Sequence, residues 1–118
     1  MTTKEVANRL VELCREGKIM EAQQELYAED ITSTEPEHAK GMVNAKGKQA
    51  VADKGIQFAS MIEEHHGSSI TDPIIEGNHF SLGWGMDVTM KGAGRTQMNE
   101  ICVYEVKDGK VVSERFFY

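Results

Sequence analysis

The 118-residue sequence predicts an α+β domain in which three N-terminal helices pack on a mainly antiparallel sheet. Apolar residues recur at intervals of three and four in the first half, as on one face of a helix, and then alternate with polar residues after Gly67, as on a strand. Because the helical segments precede the strands and do not alternate with them, helices on one face of an antiparallel sheet are favoured over a parallel sheet.

The first two helices are predicted from short apolar stripes. Thr2 and Glu5 have capping-box spacing, so the first helix should run from Thr3 to Glu16 and end at Gly17. Its stripe comprises Val6, Leu10, Leu13 and Cys14. A second, short helix has Ile19, Ala22, Gln23, Leu26 and Tyr27 on one side and leads into a β-branched strand at residues 31–34.

A third helix is predicted from Lys48 to Glu64. Glu35-Pro36 should end the first strand, because proline withholds a backbone donor, and the segment from Glu37 to Lys46 is then expected to be a loop. The helix has an apolar stripe of Val51, Ala52, Gly55, Phe58, Ala59, Met61 and Ile62.

Three turn sequences divide the C-terminal half into four strands of an antiparallel meander: Gly77-Asn78, Gly92-Ala93-Gly94 and Asp108-Gly109. In the second of these strands one face carries Phe80, Leu82, Trp84, Met86, Val88 and Met90, and this face should contact the helices. The last strand has aromatic residues on both faces, with Phe116 and Tyr118 on one and Phe117 on the other. We therefore expect the outer sheet face to pack on a second subunit in a homodimer.

Composition limits the partners and the location of the protein. Thirteen basic residues against nineteen acidic residues give a net charge of -6 without a basic cluster, which argues against nucleic acid. Neither an apolar leader nor a run of about eighteen apolar residues is present, so we expect a cytoplasmic protein without a membrane span. Cys14 and Cys102 lack metal-knuckle spacing and are expected to be buried, reduced thiols.

The histidines do not predict a metal site. His65 and His66 are adjacent without a third ligand nearby, so we interpret them as a solvated helix end and assign no metal. His38 and His79 are expected at the surface.

The order of these segments resembles the SnoaL-like, NTF2-like superfamily over nearly the whole chain. The matching features are the Tyr-Ala-acid-Asp strand entry at residues 27–30, the Glu35-Pro36 step, and the ending Gly-Lys-Val-Val-Ser-Glu-Arg-Phe-Phe-Tyr at 109–118. By motif, ketosteroid isomerase looks like the nearest functional relative. The resemblance implies one domain over residues 1–118, with a strongly curved sheet that forms a cone-shaped pocket and is commonly dimeric.

The resemblance also implies site residues. It aligns Glu35 with the carboxylate general base of the isomerases, and Leu10 and Cys102 with their two oxyanion donors, which this chain therefore lacks. It also places Glu100 and Glu114 on the cavity side of the sheet, as further acid–base candidates. The expected ligand-binding wall is Phe58, Met61, Trp84, Met86, Met98, Cys102, Phe116 and Tyr118. Carboxylates in such an apolar pocket should have raised pKa values, which suits them to act as acid or base near neutrality.

Two functions follow from this pocket. The first is binding of a small apolar organic molecule with proton transfer next to a carbonyl, as in a cofactor-independent isomerase, cyclase or hydratase-like lyase. The second is a non-catalytic ligand-binding or dimeric interaction module, which the missing oxyanion donors favour. The carboxylates also have simpler readings: Glu35 could be solvated or cap backbone donors, and Glu100 and Glu114 could be paired with Arg95 or Arg115.

Overall fold

The computed structural model describes residues 1–118 as three helices packed on a curled, unclosed, mainly antiparallel sheet. The predicted fold class is thus confirmed. The elements in chain order are α1 (Thr3–Arg15), α2 (Ile19–Leu26), β1 (Tyr27–Thr34), β2 (Ala45–Lys46), α3 (Lys48–Ser60), β3 (Ile62–Ile70), β4 (Ile74–Glu76), β5 (His79–Met90), β6 (Gly94–Lys107) and β7 (Lys110–Phe117).

The sheet has seven strands. Six of them follow the order β2-β1-β7-β6-β5-β3, and β4 pairs with β5 beside β3. Strands β5, β6 and β7 form the predicted meander, whereas β1 joins the sheet through a parallel pairing with β7. This parallel pairing brings the end of β1 and the middle of β7 side by side, with Ser33 opposite Glu114.

The inner sheet face carries the core at one end only. Phe80 stacks on Tyr104 with a centroid separation of 4.7 Å, and the buried apolar face of α1 packs in the same cluster. The cluster includes Val6, Leu10, Leu26, Ile31, Val51, Phe80, Leu82, Cys102, Tyr104, Val106 and Val111. Further along the same face the side chains of Trp84, Met86 and Met98 are only partly buried, so this half of the sheet is not filled by the helices.

Local sequence signals act as expected at two positions. Thr2 and Glu5 form the capping box of α1, in which the Thr2 side chain accepts from the Glu5 N–H and the Glu5 carboxylate accepts from the Thr2 N–H. Asp108 and Gly109 adopt positive φ values of 52° and 75°, which the tight turn between β6 and β7 requires.

The prediction for the third helix is wrong at its C-terminal end. The helix ends at Ser60, and residues 62–70 form β3, so His65 and His66 lie on a strand and not at a helix end. The pairing of β3 with β5 shifts register twice, between Ile62 and Glu64 and between His65 and Gly67. These irregularities break the alternation that identifies a strand, and contacts with β5 override the poor strand propensity of this polar segment.

The first strand also begins earlier than predicted. Tyr27 opens β1 and does not end α2, and part of the expected loop, Ala45–Lys46, pairs with β1 as the short strand β2. None of the three helices has the length and apolar character needed to cross a membrane.

Candidate functional site

A cavity of about 600 Å³ occupies the unfilled half of the inner sheet face. It lies between β5–β7 and the helices α2 and α3, and 16 of its 26 lining residues are hydrophobic. The volume falls within the roughly 300–1,000 Å³ typical of small-molecule sites. All three carboxylates from the sequence analysis line it, together with seven of the eight expected wall residues: Phe58, Met61, Trp84, Met86, Met98, Phe116 and Tyr118.

Cys102 does not line the cavity. Its side chain points to the inner face, as expected, but it is fully buried in the core cluster. Burial raises the pKa of the Cys102 thiol, which therefore stays protonated and donates to Glu100 Oε1 at 3.6 Å. The expected role of Cys102 in direct ligand contact has to be corrected, because helix packing covers this part of the strand. Leu10, the other position aligned with an oxyanion donor, lines the cavity with an apolar side chain.

Glu35 forms a buried ion pair that the sequence analysis did not predict. Lys54 of α3 donates from Nζ to Glu35 Oε2 at 2.6 Å, and the two side chains are 8% and 5% exposed. Tyr118 donates from its hydroxyl to the other oxygen, Oε1, at 2.6 Å. Both carboxylate oxygens are thus occupied, and Asn44 accepts the backbone N–H of Glu35, so the residue is held from three sides.

Glu114 belongs to the same network but lies deeper. Ser33 accepts from Lys54 Nζ at 2.7 Å and donates to Glu114 Oε1 at 2.8 Å, and the hydroxyl of Tyr27 donates to Oε2. Burial raises the pKa of the Glu114 carboxyl, although these hydrogen bonds and the charge of Lys54 act in the opposite direction. With both of its oxygens engaged, Glu114 supports the network and is poorly placed to exchange a proton with a ligand.

Glu100 is the carboxyl that is least engaged by other residues. It lies on the cavity wall, partly buried, and the weak thiol donor Cys102 is its single hydrogen-bond partner. Burial raises the pKa of Glu100 to about 7, and the charges of Glu35 and Glu114 contribute in the same direction. A carboxyl with a pKa raised towards neutrality can both accept and return a proton near neutral pH, which suits general acid–base chemistry.

Neither Arg95 nor Arg115 forms an ion pair with Glu100 or Glu114. Arg95 pairs with Asp87 on the neighbouring strand, with Nη2 to Oδ2 at 2.8 Å, and no ion pair joins Arg115 to Glu100 or Glu114. No group of three or more His, Cys, Asp or Glu side chains is arranged to hold a metal ion. His66 contacts the Thr89 hydroxyl at 2.7 Å on the sheet.

Lys54 is the main residue of this site that the sequence analysis did not include. It follows Val51 by three residues and precedes Phe58 by four, so it belongs to the stripe by which α3 faces the sheet. Lysine is rarely buried in proteins unless it is paired, so a lysine within an apolar stripe is unusual. This was the signal that the sequence offered. Ser33 and Tyr27 carried no comparable signal, because their roles arise from the parallel pairing of β1 with β7.

Two buried polar atoms in the cavity lining have no hydrogen-bond partner, Gln23 Oε1 and Trp84 Nε1. An unsatisfied buried donor or acceptor costs about 1–3 kcal/mol, so this wall is not optimised for stability alone.

Three helices packed on a curled, unclosed, mainly antiparallel sheet form an NTF2-like fold. The sequence profile of the SnoaL-like domain matches residues 1–118, and the chain belongs to this family. A comparison with curated proteins finds no match.

Solved structures agree with this assignment. A candidate SnoaL-like polyketide cyclase from Mesorhizobium loti is 37% identical, with a TM-score of 0.90 and 100% of both chains covered. A ketosteroid isomerase-like protein from Catenulispora acidiphila, in complex with trimethylamine, is 20% identical, with a TM-score of 0.69, 84% of this chain covered and 73% of that one. TerC, co-crystallised with polyporic acid, is 12% identical, with a TM-score of 0.78 and 99% and 92% covered. The last two similarities concern the fold alone.

Proposed function

We propose that the protein binds a small, mostly apolar organic molecule in the cavity and catalyses proton transfer at a carbon next to a carbonyl group. The observation that carries this proposal is Glu100, a carboxyl on an apolar wall with a pKa near 7 and one weak partner. The similarity to a candidate polyketide cyclase supports a ligand of the polyketide class. The proposed reaction uses the chain's own carboxyls and needs no cofactor.

Glu100 is proposed as the group that removes and returns the proton. As a carboxylate in an apolar environment it is a stronger base than in water, and as a carboxylic acid it can return the proton. Glu35, which the family resemblance suggests as the base, pairs with Lys54 and accepts from Tyr118, so both of its oxygens are already engaged and it is poorly placed to take a proton from a ligand. We propose that Glu35 and Glu114 hold Lys54 and Ser33 in place beside the ligand.

Binding and chemistry can be tested separately with 2-tetralone, an apolar bicyclic ketone with exchangeable protons next to its carbonyl. Trp84 is the single tryptophan and lines the cavity, so its fluorescence reports on occupancy. We expect a saturable fluorescence change, reversed by competing tetralin, and faster incorporation of solvent deuterium into the bound ketone than in buffer. Free N-acetyltryptophanamide should show only a linear decrease of fluorescence with 2-tetralone concentration. The same linear dependence in the protein would contradict binding.

A non-catalytic ligand-binding module is the alternative, and it predicts saturable binding without faster deuterium exchange. A dimer would support this alternative, because an interaction module needs a contact surface. We also propose that the outer sheet face forms such a dimer. Ile101 and Phe117 are register partners on β6 and β7 and are 56% and 54% exposed, which places two large apolar side chains together on this face.

The dimer is tested by light scattering. We expect a species of twice the 13.2 kDa chain mass at micromolar concentration, and mostly monomer for Ile101→Lys. Ile56→Lys is the matched control, since Ile56 is also 56% exposed but lies on α3. A monomeric unmodified protein, or equal dissociation by both variants, would exclude this interface.

A further inference from the structure

The cavity contains a cation with a free hydrogen-bond donor. The ammonium group of Lys54 has three N–H bonds, of which one reaches Ser33 Oγ and one reaches Glu35 Oε2. The third N–H has no acceptor in the structure. Nζ also lies over the face of the Phe116 ring, 5.3 Å from its centroid, in a cation–π contact that a ligand oxygen would complement or replace. Both residues line the cavity, so the ammonium group borders the space that a ligand would occupy.

We propose that Lys54 is the oxyanion donor of this site: its third N–H binds the carbonyl oxygen of the ligand and stabilises the enolate that forms when the neighbouring carbon loses its proton. This inference rests on the proposed function. It restricts the ligand to molecules that place a hydrogen-bond-accepting oxygen, one that gains negative charge during the reaction, next to α3.

The electron and proton movements balance without a further reactant. The Glu100 carboxylate takes the proton, the C–H electron pair forms a carbon–carbon double bond, and the carbonyl π electrons move to oxygen. Lys54 keeps its proton throughout and donates a hydrogen bond to the oxygen. Return of the proton from Glu100 to the carbon framework restores the carbonyl group and the carboxylate.

Other donors of the cavity are less suited to this role, and Trp84 Nε1, the buried donor that also has no partner, carries no charge. The positions that align with oxyanion donors hold the apolar Leu10 and the fully buried Cys102. The hydroxyls of Tyr27 and Tyr118 already donate to carboxylates. Lys40, the other cationic lining residue, is exposed to solvent, where water weakens its interaction with an anion.

Lys54 is also held rigidly. Its two acceptors lie on β1 and just beyond its end, and they are themselves anchored by Glu114 and Tyr118. A donor that is positioned before the ligand binds need not reorganise during the reaction, which is the main requirement of electrostatic catalysis. A hydrogen bond from a charged donor is also about twice as strong as one from a neutral donor.

The test uses 2-naphthol, a stable analogue of the enol of 2-tetralone, and naphthalene, which lacks the oxygen. If Lys54 binds the oxygen, 2-naphthol should bind about tenfold to a hundredfold more tightly than naphthalene. Bound 2-naphthol should also ionise at a lower pH than free 2-naphthol, as followed by its absorbance. A carboxylate that accepted from the naphthol hydroxyl would shift this ionisation in the opposite direction.

The preference for 2-naphthol and the lowered ionisation pH should both disappear in Lys54→Met, while naphthalene binding changes less than about threefold. Because this variant leaves Glu35 unpaired, Glu35→Gln/Lys54→Met serves as the second, charge-balanced variant and should behave in the same way. If the unmodified protein binds both ligands equally, or if the preference for 2-naphthol survives in the double variant, the role of Lys54 is refuted. Binding of an apolar ligand in the cavity would still stand. If neither ligand binds, the proposed function fails as well.

Discussion

Replacing Lys54 by methionine is expected to lower the free energy of unfolding by about 3–5 kcal/mol, because it leaves the Glu35 carboxylate buried without its cation. For a domain of this size the midpoint of thermal unfolding should fall by roughly 10 °C or more. Thermal unfolding followed by circular dichroism measures both changes.

Glu35→Gln/Lys54→Met is the control for this prediction. It removes both charges and keeps an amide oxygen that can accept from Tyr118, so most of the lost stability should return. Lys48→Met is the single variant for comparison, because Lys48 lies at the start of α3, pairs with an exposed Glu29 at 3.8 Å and donates to the Gln24 carbonyl at 2.6 Å, without leaving a buried charge unpaired when it is replaced. It should change the free energy of unfolding by about 1–2 kcal/mol. Equal losses for Lys48→Met and Lys54→Met would contradict the account of the buried pair.

Replacing Glu100 by glutamine is expected to slow deuterium exchange into 2-tetralone by about 10²- to 10⁴-fold, because glutamine can neither accept nor return the proton. In the unmodified protein the exchange rate should rise as the pH passes through about 7, where Glu100 becomes ionised, and this rise should be absent from Glu100→Gln. Mass spectrometry of the ketone after incubation in deuterated buffer measures the rate.

Glu105→Gln is the matched control for this second prediction. Glu105 lies on the same strand as Glu100 but on the opposite sheet face, away from the cavity, so the exchange rate should not change. Fluorescence titration of Trp84 should also give similar 2-tetralone affinities for both variants, which separates binding from chemistry. A full exchange rate in Glu100→Gln would assign the proton transfer to another group.

Stability also reports on Glu100. Its pKa is raised in the folded protein, so between about 4.5 and about 7 the folded state binds more protons than the unfolded state. The stabilisation that this provides is fully present below about pH 4.5 and is lost as the pH rises through about 7. Glu100→Gln should remove this part of the pH dependence.

The sequence predicts the fold well where periodicity is regular. The alternation from Phe80 to Met90 and the turn at Asp108-Gly109 are local signals, and the structure matches both. Strand β3 is the counterexample, since its two register shifts and its polar sequence hide the alternation, and only pairing with β5 makes it a strand.

The site is less predictable because its main features are not local. The family resemblance, and not periodicity, gave Glu35, Glu100 and Glu114 as pocket residues. It could not indicate that Glu35 is paired, because this depends on the distance of α3 from the end of β1. It could not indicate that Glu100 is nearly free either, because this depends on Arg95 pairing with Asp87 on the neighbouring strand. The position of Lys54 on an apolar stripe was visible in the sequence, but its partners, Ser33 and Glu35, were set only by tertiary packing.

The most direct test of the proposed acid–base site is the titration of the Glu100 side-chain carboxyl by NMR, with ¹³C-labelled protein and Glu100→Gln to assign the signal. We expect a midpoint of about 7, produced by burial on the apolar wall and by the nearby charges of Glu35 and Glu114. A midpoint at the ordinary glutamate value of about 4.3 would show that Glu100 is well solvated and would contradict an acid–base role near neutral pH.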